Sequence, residues 1–313
     1  MSPMKYRLLF ALPLCAALAG CSGGGNQDQG VQVRNAAWQQ AMDAGQQALA
    51  IGRYSVAERE YREASRLALR DDDPQGIADS SYNLAVTQLS ADKPTDALET
   101  VQNARAALEI RSVGIQAQTA GTEQKTAAMG TSALDLVAAG AYSRLGRLAE
   151  AADMARRAEQ SSETDIRQRA MFIAGIVAAR RSDSATLAAS LQSLSSLPQP
   201  HSLDVQGDVV ALQALTLLHT DPARAQELAA QAVELRRKNG DDRAMIHAMA
   251  LEAQAAKAAG HPEVASALLA RAAQGQAARS ATTGQNDPLA IQYMSEAGLS
   301  LPLQPFAVKE TEK

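Results

Sequence analysis

The chain has 313 residues, 30 basic and 34 acidic side chains, a formal charge of −4, and only 3% aromatic residues. Mild acidity with mixed signs gives no electrostatic reason to favour nucleic acid or an anionic lipid surface. Both cysteines fall at or before position 21, so the remainder has no thiol for a disulfide, a zinc cluster or a cysteine nucleophile.

The first residues fall into three zones. Lys5 and Arg7 form a short basic region, residues 8–19 an apolar run, and Leu18-Ala19-Gly20-Cys21 closes the segment. A permanent membrane helix needs roughly 20 apolar residues, so this run is too short to span and fits a cleaved secretory signal. Leu-Ala-Gly-Cys also resembles the lipobox of bacterial lipoproteins. That resemblance implies a diacylated Cys21 thiol, cleavage before Cys21 and an acylated new amino terminus. The alternative is an ordinary secretory signal with a chance cysteine. Two or three acyl chains hold a protein on a bilayer, where one binds only marginally. The same resemblance favours the periplasmic face of the outer membrane over the inner membrane, because Ser22, not aspartate, follows the cysteine.

Removal of residues 1–20 leaves 28 basic against 34 acidic side chains, a formal charge of −6. Residues 22–30 are Gly-rich and contain no apolar side chain, which makes 21–33 a flexible tether. From residue 34 onward Leu, Ala, Ile and Val recur at three- and four-residue intervals, and no stretch alternates with period two over a strand length. The pattern predicts an all-α domain in which helices approach closely over small side chains.

One unit then recurs. Near Trp38, the residues Gly45, Gly52, Tyr54, Ala57, Tyr61 and Ala64 stand at offsets 0, 7, 9, 12, 16 and 19. Gly52 ends a first helix where positive φ is cheap, Tyr54 starts a second, and Ala57 sits at the crossing. Later copies centre on Asp92 to Ala97, Gly146 to Ala151, Asp183 to Ala188, Asp221 to Ala225, and Gly260 to Ala265. The crossing alanines 57, 97, 151, 188, 225 and 265 lie 40, 54, 37, 37 and 40 residues apart. This spacing resembles the tetratricopeptide repeat, of period ~34, and implies an α-solenoid of about six helical hairpins over residues 34–286. The 54-residue gap carries a Gln/Thr/Gly-rich surplus near 111–130, either a helix extension or a loop. Asp71-Asp72-Asp73 reads as helix capping, since it lacks the ligand spacing of a calcium loop. In 287–313, Asp287-Pro288 starts a capping helix through about Ala297, followed by a Pro-rich extended tail.

Chemistry is sparse. His201, His219, His247 and His261 form no i, i+4 pair, and neither a nucleophile elbow nor a phosphate loop is present. No enzyme, cofactor or metal is expected beyond the lipid on Cys21. The resemblance to the tetratricopeptide family implies a concave face built from the first helix of each pair, with candidate contacts Tyr82, Asn83, Arg144, Arg180, His247 and Lys257. The basic pairs that clamp a C-terminal carboxylate in some family members do not recur here. The implied partners are periplasmic or outer-membrane proteins, with the chain acting as a scaffold. A carrier of a small apolar ligand for a transport system is the alternative, and it requires an enclosed apolar cavity.

Overall fold

The computed structural model describes residues 36–115, 122–281 and 287–298, and every regular element among them is a helix. The signal segment, Cys21, the tether and the tail after Gly298 lie outside the described residues. Six hairpins follow one another: α1 (Ala36–Ala50) with α2 (Tyr54–Arg70), α3 (Pro74–Ser90) with α4 (Pro94–Ile115), and α5 (Thr122–Arg144) with α6 (Leu148–Ala158). Then come α7 (Thr164–Arg180) with α8 (Ser184–Ser195), α9 (Leu203–Leu217) with α10 (Pro222–Asn239), and α11 (Asp242–Ala258) with α12 (Pro262–Ala281). The short α13 (Pro288–Glu296) packs on α12.

Five of the six hairpin turns are built alike. Gly52, Asp92, Gly146, Ser182 and Gly260 all have φ between 58° and 85°. The residue after each donates its N–H to the carbonyl five positions back: Arg53 to Ala48, Lys93 to Gln88, Arg147 to Tyr142, Asp183 to Ala178 and His261 to Ala256, at 2.8–2.9 Å. This satisfies carbonyls that the helix end would otherwise orphan. Asp92 tolerates the left-handed conformation better than Ser182 does, because Asp is one of the few L-residues enriched there. The fifth hairpin turns instead through Leu218 to Asp221, where Asp221 caps α10 by accepting the Arg224 N–H at 3.1 Å.

Four residues past each of these cap positions lies the crossing. Ala57, Ala97, Ala151 and Ala225 are completely buried there, and Ala265 nearly so. In the fourth hairpin the crossing residue is Leu187, which is buried and donates to Asp183 O at 3.1 Å. Ala188, expected from its alanine identity, is exposed. The turn is set by Ser182, and the helical register then points residue 187, not 188, at the neighbour.

On both sides of residues 116–121 the surplus before the third hairpin is helical. α4 continues to Ile115 and α5 begins at Thr122, with residues 116–121 outside the described set. Asp71 to Asp73 act mostly as ion-pair partners: Asp71 pairs with Arg70 at 2.8 Å and Asp72 with Arg111 at 2.7 Å. Asp73 occupies the N-cap of α3, yet its carboxylate makes no capping bond. Pro74 at the start of that helix has no N–H to offer, and its fixed φ already begins the turn.

The odd-numbered helices α3, α5, α7, α9 and α11 pack on one another in succession as well as on their chain neighbours, while the even-numbered helices pack chiefly on their chain neighbours. Two layers result, with the odd helices inside. Alanine makes this possible. Ala85, Ala139, Ala141, Ala170, Ala214 and Ala255 are fully buried on inner helices, where a larger residue would hold neighbours apart. Polar residues of the inner layer turn back on their own backbone: Ser80 Oγ donates to Gly76 O at 2.6 Å and Thr87 Oγ1 to Asn83 O at 2.8 Å. At the C-terminal end Tyr293, Met294 and Ala297 of the α13 region join the core shared by α9 to α12, and Ser266 Oγ donates to Ala297 O at 2.7 Å.

The inner face closes on itself. Arg243 near the start of α11 donates to Leu89 O at the end of α3 at 3.1 Å, across 154 residues of chain. Arg279 of α12 donates to the Tyr54 hydroxyl at the start of α2 at 3.0 Å, across 225 residues.

Candidate functional site

The seam made by this closure gathers several strongly perturbed groups, among them Arg144, His247 and Tyr293. Arg144 is the last residue of α5, and its Nη1 also donates to Leu89 O. Two guanidinium groups therefore share one neutral carbonyl at the C-terminal end of α3. That end carries the negative pole of the helix dipole, which favours cations. Asp92, in the turn just beyond, lies 4.0 Å from Arg144. Arg279 reaches the same region from α12, holding Tyr54 on one side and Gln276 Oε1, 3.3 Å away, on the other. Asp287 caps α13 through the Leu289 and Ala290 N–H groups, at 2.8 and 3.2 Å, and also accepts Gln276 Nε2.

His247 stands one turn after Arg243 on α11, with Nδ1 3.4 Å from the Tyr293 hydroxyl. Its ring keeps a solvent-exposed surface, yet burial and then the charges of Arg243, Arg144 and Arg279 push its pKa down to about 4. At neutral pH it is uncharged. Burial, reinforced by Arg243, lowers Arg144 to about 9, so it stays a cation at neutral pH. Burial and the neighbouring Asp287 raise the Asp92 carboxyl. Arg243 Nε is buried without a hydrogen-bond partner.

Of the six residues expected on the inner face, the seam brings together Arg144 and His247. Tyr82 is half-buried and packs into the core shared by α1 to α7; burial raises its phenol. Asn83 is also half-buried, and its amide donates to Asp79 O at 2.8 Å in its own helix. Arg180 repeats the Arg144 arrangement one hairpin later: from the end of α7 its Nη1 donates to Ser143 O at 2.6 Å and Ser143 Oγ at 3.1 Å near the end of α5. Lys257 is exposed at the far end of α11, 14 residues and hence about 21 Å from Arg243.

Sequence reasoning missed Arg243, Arg279, Asp92, Asp287, Tyr54 and Tyr293 as members of one group. Arg243 was within reach, since it precedes His247 by four residues and shares its helix face. A separate buried network joins Arg236 to Asp204 at 3.0 Å and to Asp208, with the guanidinium 5.8 Å from the Phe172 ring centre. Burial outweighs Arg236 and lifts Asp208 to about 6. These groups tie α7, α9 and α10 together.

No family model matches the chain, and no curated protein matches it. Among solved structures it is similar to a tetratricopeptide repeat protein from Parabacteroides merdae, with a TM-score of 0.43, 13% identity, and coverage of 84% of this chain and 100% of that one. It is also similar to BtubC from P. vanneervenii, with a TM-score of 0.46, 17% identity, and coverage of 81% and 95%. The tetratricopeptide-like assignment rests on the hairpin geometry described above.

Proposed function

We propose that the chain is a lipid-anchored envelope protein whose tetratricopeptide-like array is a non-catalytic scaffold for other proteins, at the periplasmic face of the outer membrane. The observation that carries the reading is the inner layer of odd-numbered helices, which gathers polar and cationic groups such as Arg144, Arg180, Arg243 and His247 on one continuous face. A face of fixed, charged side chains that assembles no nucleophile and base among the described residues suits recognition of a partner. The lining also speaks against an apolar cargo, which would strip water from guanidinium groups without pairing them.

The anchor rests on Leu18-Ala19-Gly20-Cys21 and the Gly-rich residues that follow. Among the described residues no helix is long and apolar enough to cross a membrane. Cys21→Ser tests the anchor. The wild-type chain is expected to fractionate with membranes and to incorporate labelled palmitate, and the variant to do neither. A variant that still labels and sediments with membrane overturns the assignment.

A further inference from the structure

We propose that the seam between α3, α5, α11 and α12 is a binding site for a compact, phosphate-type oxyanion, held by Arg144, Arg243 and Arg279. The geometry has three parts. First, Arg144 and Arg243 direct one N–H each at the same Leu89 carbonyl. Two like charges on one neutral acceptor repel each other, and an anion lying between them converts that repulsion into attraction. Second, like charges crowd together. Among the described residues Arg144, Arg243 and Arg279 act on one another and on His247, with Asp92, Asp287 and Asp241 as the carboxylates nearby, while His247 adds no charge at neutral pH. Third, donors remain. A guanidinium carries five N–H groups, and the Arg243 Nε is buried with no acceptor.

The class of anion follows from the directions of approach. The three arginines arrive on three different helices, α5, α11 and α12. A single planar carboxylate is satisfied by one or two forks, whereas a tetrahedral phosphate offers acceptors in several directions at once. Tyr54, already holding Arg279, and Tyr293, beside His247, add hydroxyls at the edges of the seam. The carboxylates of Asp92 and Asp287 limit the charge the site accepts, so a small anion suits it better than a highly charged one. Because the seam joins α3 to α11, an occupied site also fastens the two ends of the inner face.

The test uses the full chain in detergent at pH 7, with inorganic phosphate exchanged for chloride at constant ionic strength. Glycerol phosphate provides a monoester arm and acetate a carboxylate arm. Titration calorimetry is expected to show saturable phosphate binding and weak or no acetate binding. A monoester that matches or exceeds free phosphate identifies an esterified ligand, and one that fails to bind identifies the free ion. Arg144→Lys, which keeps the charge but loses the fork, is expected to weaken binding about tenfold or more, and Arg243→Gln to abolish it. Arg224→Gln, at an exposed pair with Glu227 on α10, should change nothing. If Arg243→Gln does not fold, Arg144→Lys decides alone. Absence of saturable binding in the wild type, or equal affinity in wild type and Arg144→Lys, overturns the proposal.

Discussion

Gly45→Ala tests the close approach of α1 and α2 in the first hairpin. A Cβ placed on Gly45 would lie 2.7, 2.8 and 2.9 Å from the Cε1, Cδ1 and Cζ atoms of Tyr61. Tyr61 is only 1% exposed and is wedged among Ala48, Ala57 and Leu84, so its ring has nowhere to retreat. Two effects oppose each other. Replacing a mid-helix glycine by alanine stabilises a helix by about 0.5–1 kcal/mol, while forcing a methyl group into a filled core costs about 1–3 kcal/mol. The clash wins, for a net loss of about 1–2 kcal/mol. Gly140→Ala is the matched control, because the nearest atom to its Cβ is Leu89 Cδ1 at an ordinary 3.5 Å. That variant should gain about 0.5–1 kcal/mol. Urea melts followed by Trp38, the single tryptophan and a buried residue of α1, read the first hairpin directly. Combining Gly45→Ala with Tyr61→Leu should recover part of the loss, since the two sites touch. Equal stabilisation by Gly45→Ala and Gly140→Ala would refute the reasoning.

Ala57→Leu places three extra carbons at a completely buried crossing and should lower stability by roughly 1–3 kcal/mol. Ala188→Leu, at an exposed position, should stay within about 0.5 kcal/mol of wild type by the same melts. His247 supplies a pH dependence. Its folded pKa of about 4 lies below the ordinary histidine value, so its contribution to stability is complete above pH ~6.5 and fades as pH falls towards 4. Protonation there would add a fourth cation to the seam. Melting temperatures of wild type and His247→Gln should therefore converge or cross as pH drops through that window, and parallel curves would contradict the assignment.

The turns were the most legible feature of the sequence, because their chemistry is local. Gly52, Gly146 and Gly260 mark positions where positive φ is needed, and Asp221 marks a cap whose side chain bonds three residues on. Where the local signal weakens, sequence and structure part. Ser182 takes the left-handed position without being glycine, and leucine fills the crossing at 187, so alanine identity alone points one residue too far, to Ala188. The Gln/Thr/Gly-rich stretch before α5 left helix and loop undecided because its composition favours neither.

The candidate site was half legible. Register along single helices marked Arg144 and His247 as inward-facing, and both stand in the seam. Their meeting with Arg279 and Tyr54 depends on the summed rotation of successive hairpins, a small angle per repeat that no local pattern encodes. The expectation of an inner face was sequence-local; the closure that gives it three guanidiniums was not.

Site-specific photo-crosslinking in the intact envelope tests the scaffold reading most directly. One probe replaces Arg180 at the end of inner helix α7, another Lys257 at the end of inner helix α11, and a third Arg237 on outer helix α10, all exposed positions. The same partner protein is expected to be captured from Arg180 and Lys257 and not from Arg237. Capture from Arg237 alone would place recognition on the outer layer and contradict that expectation.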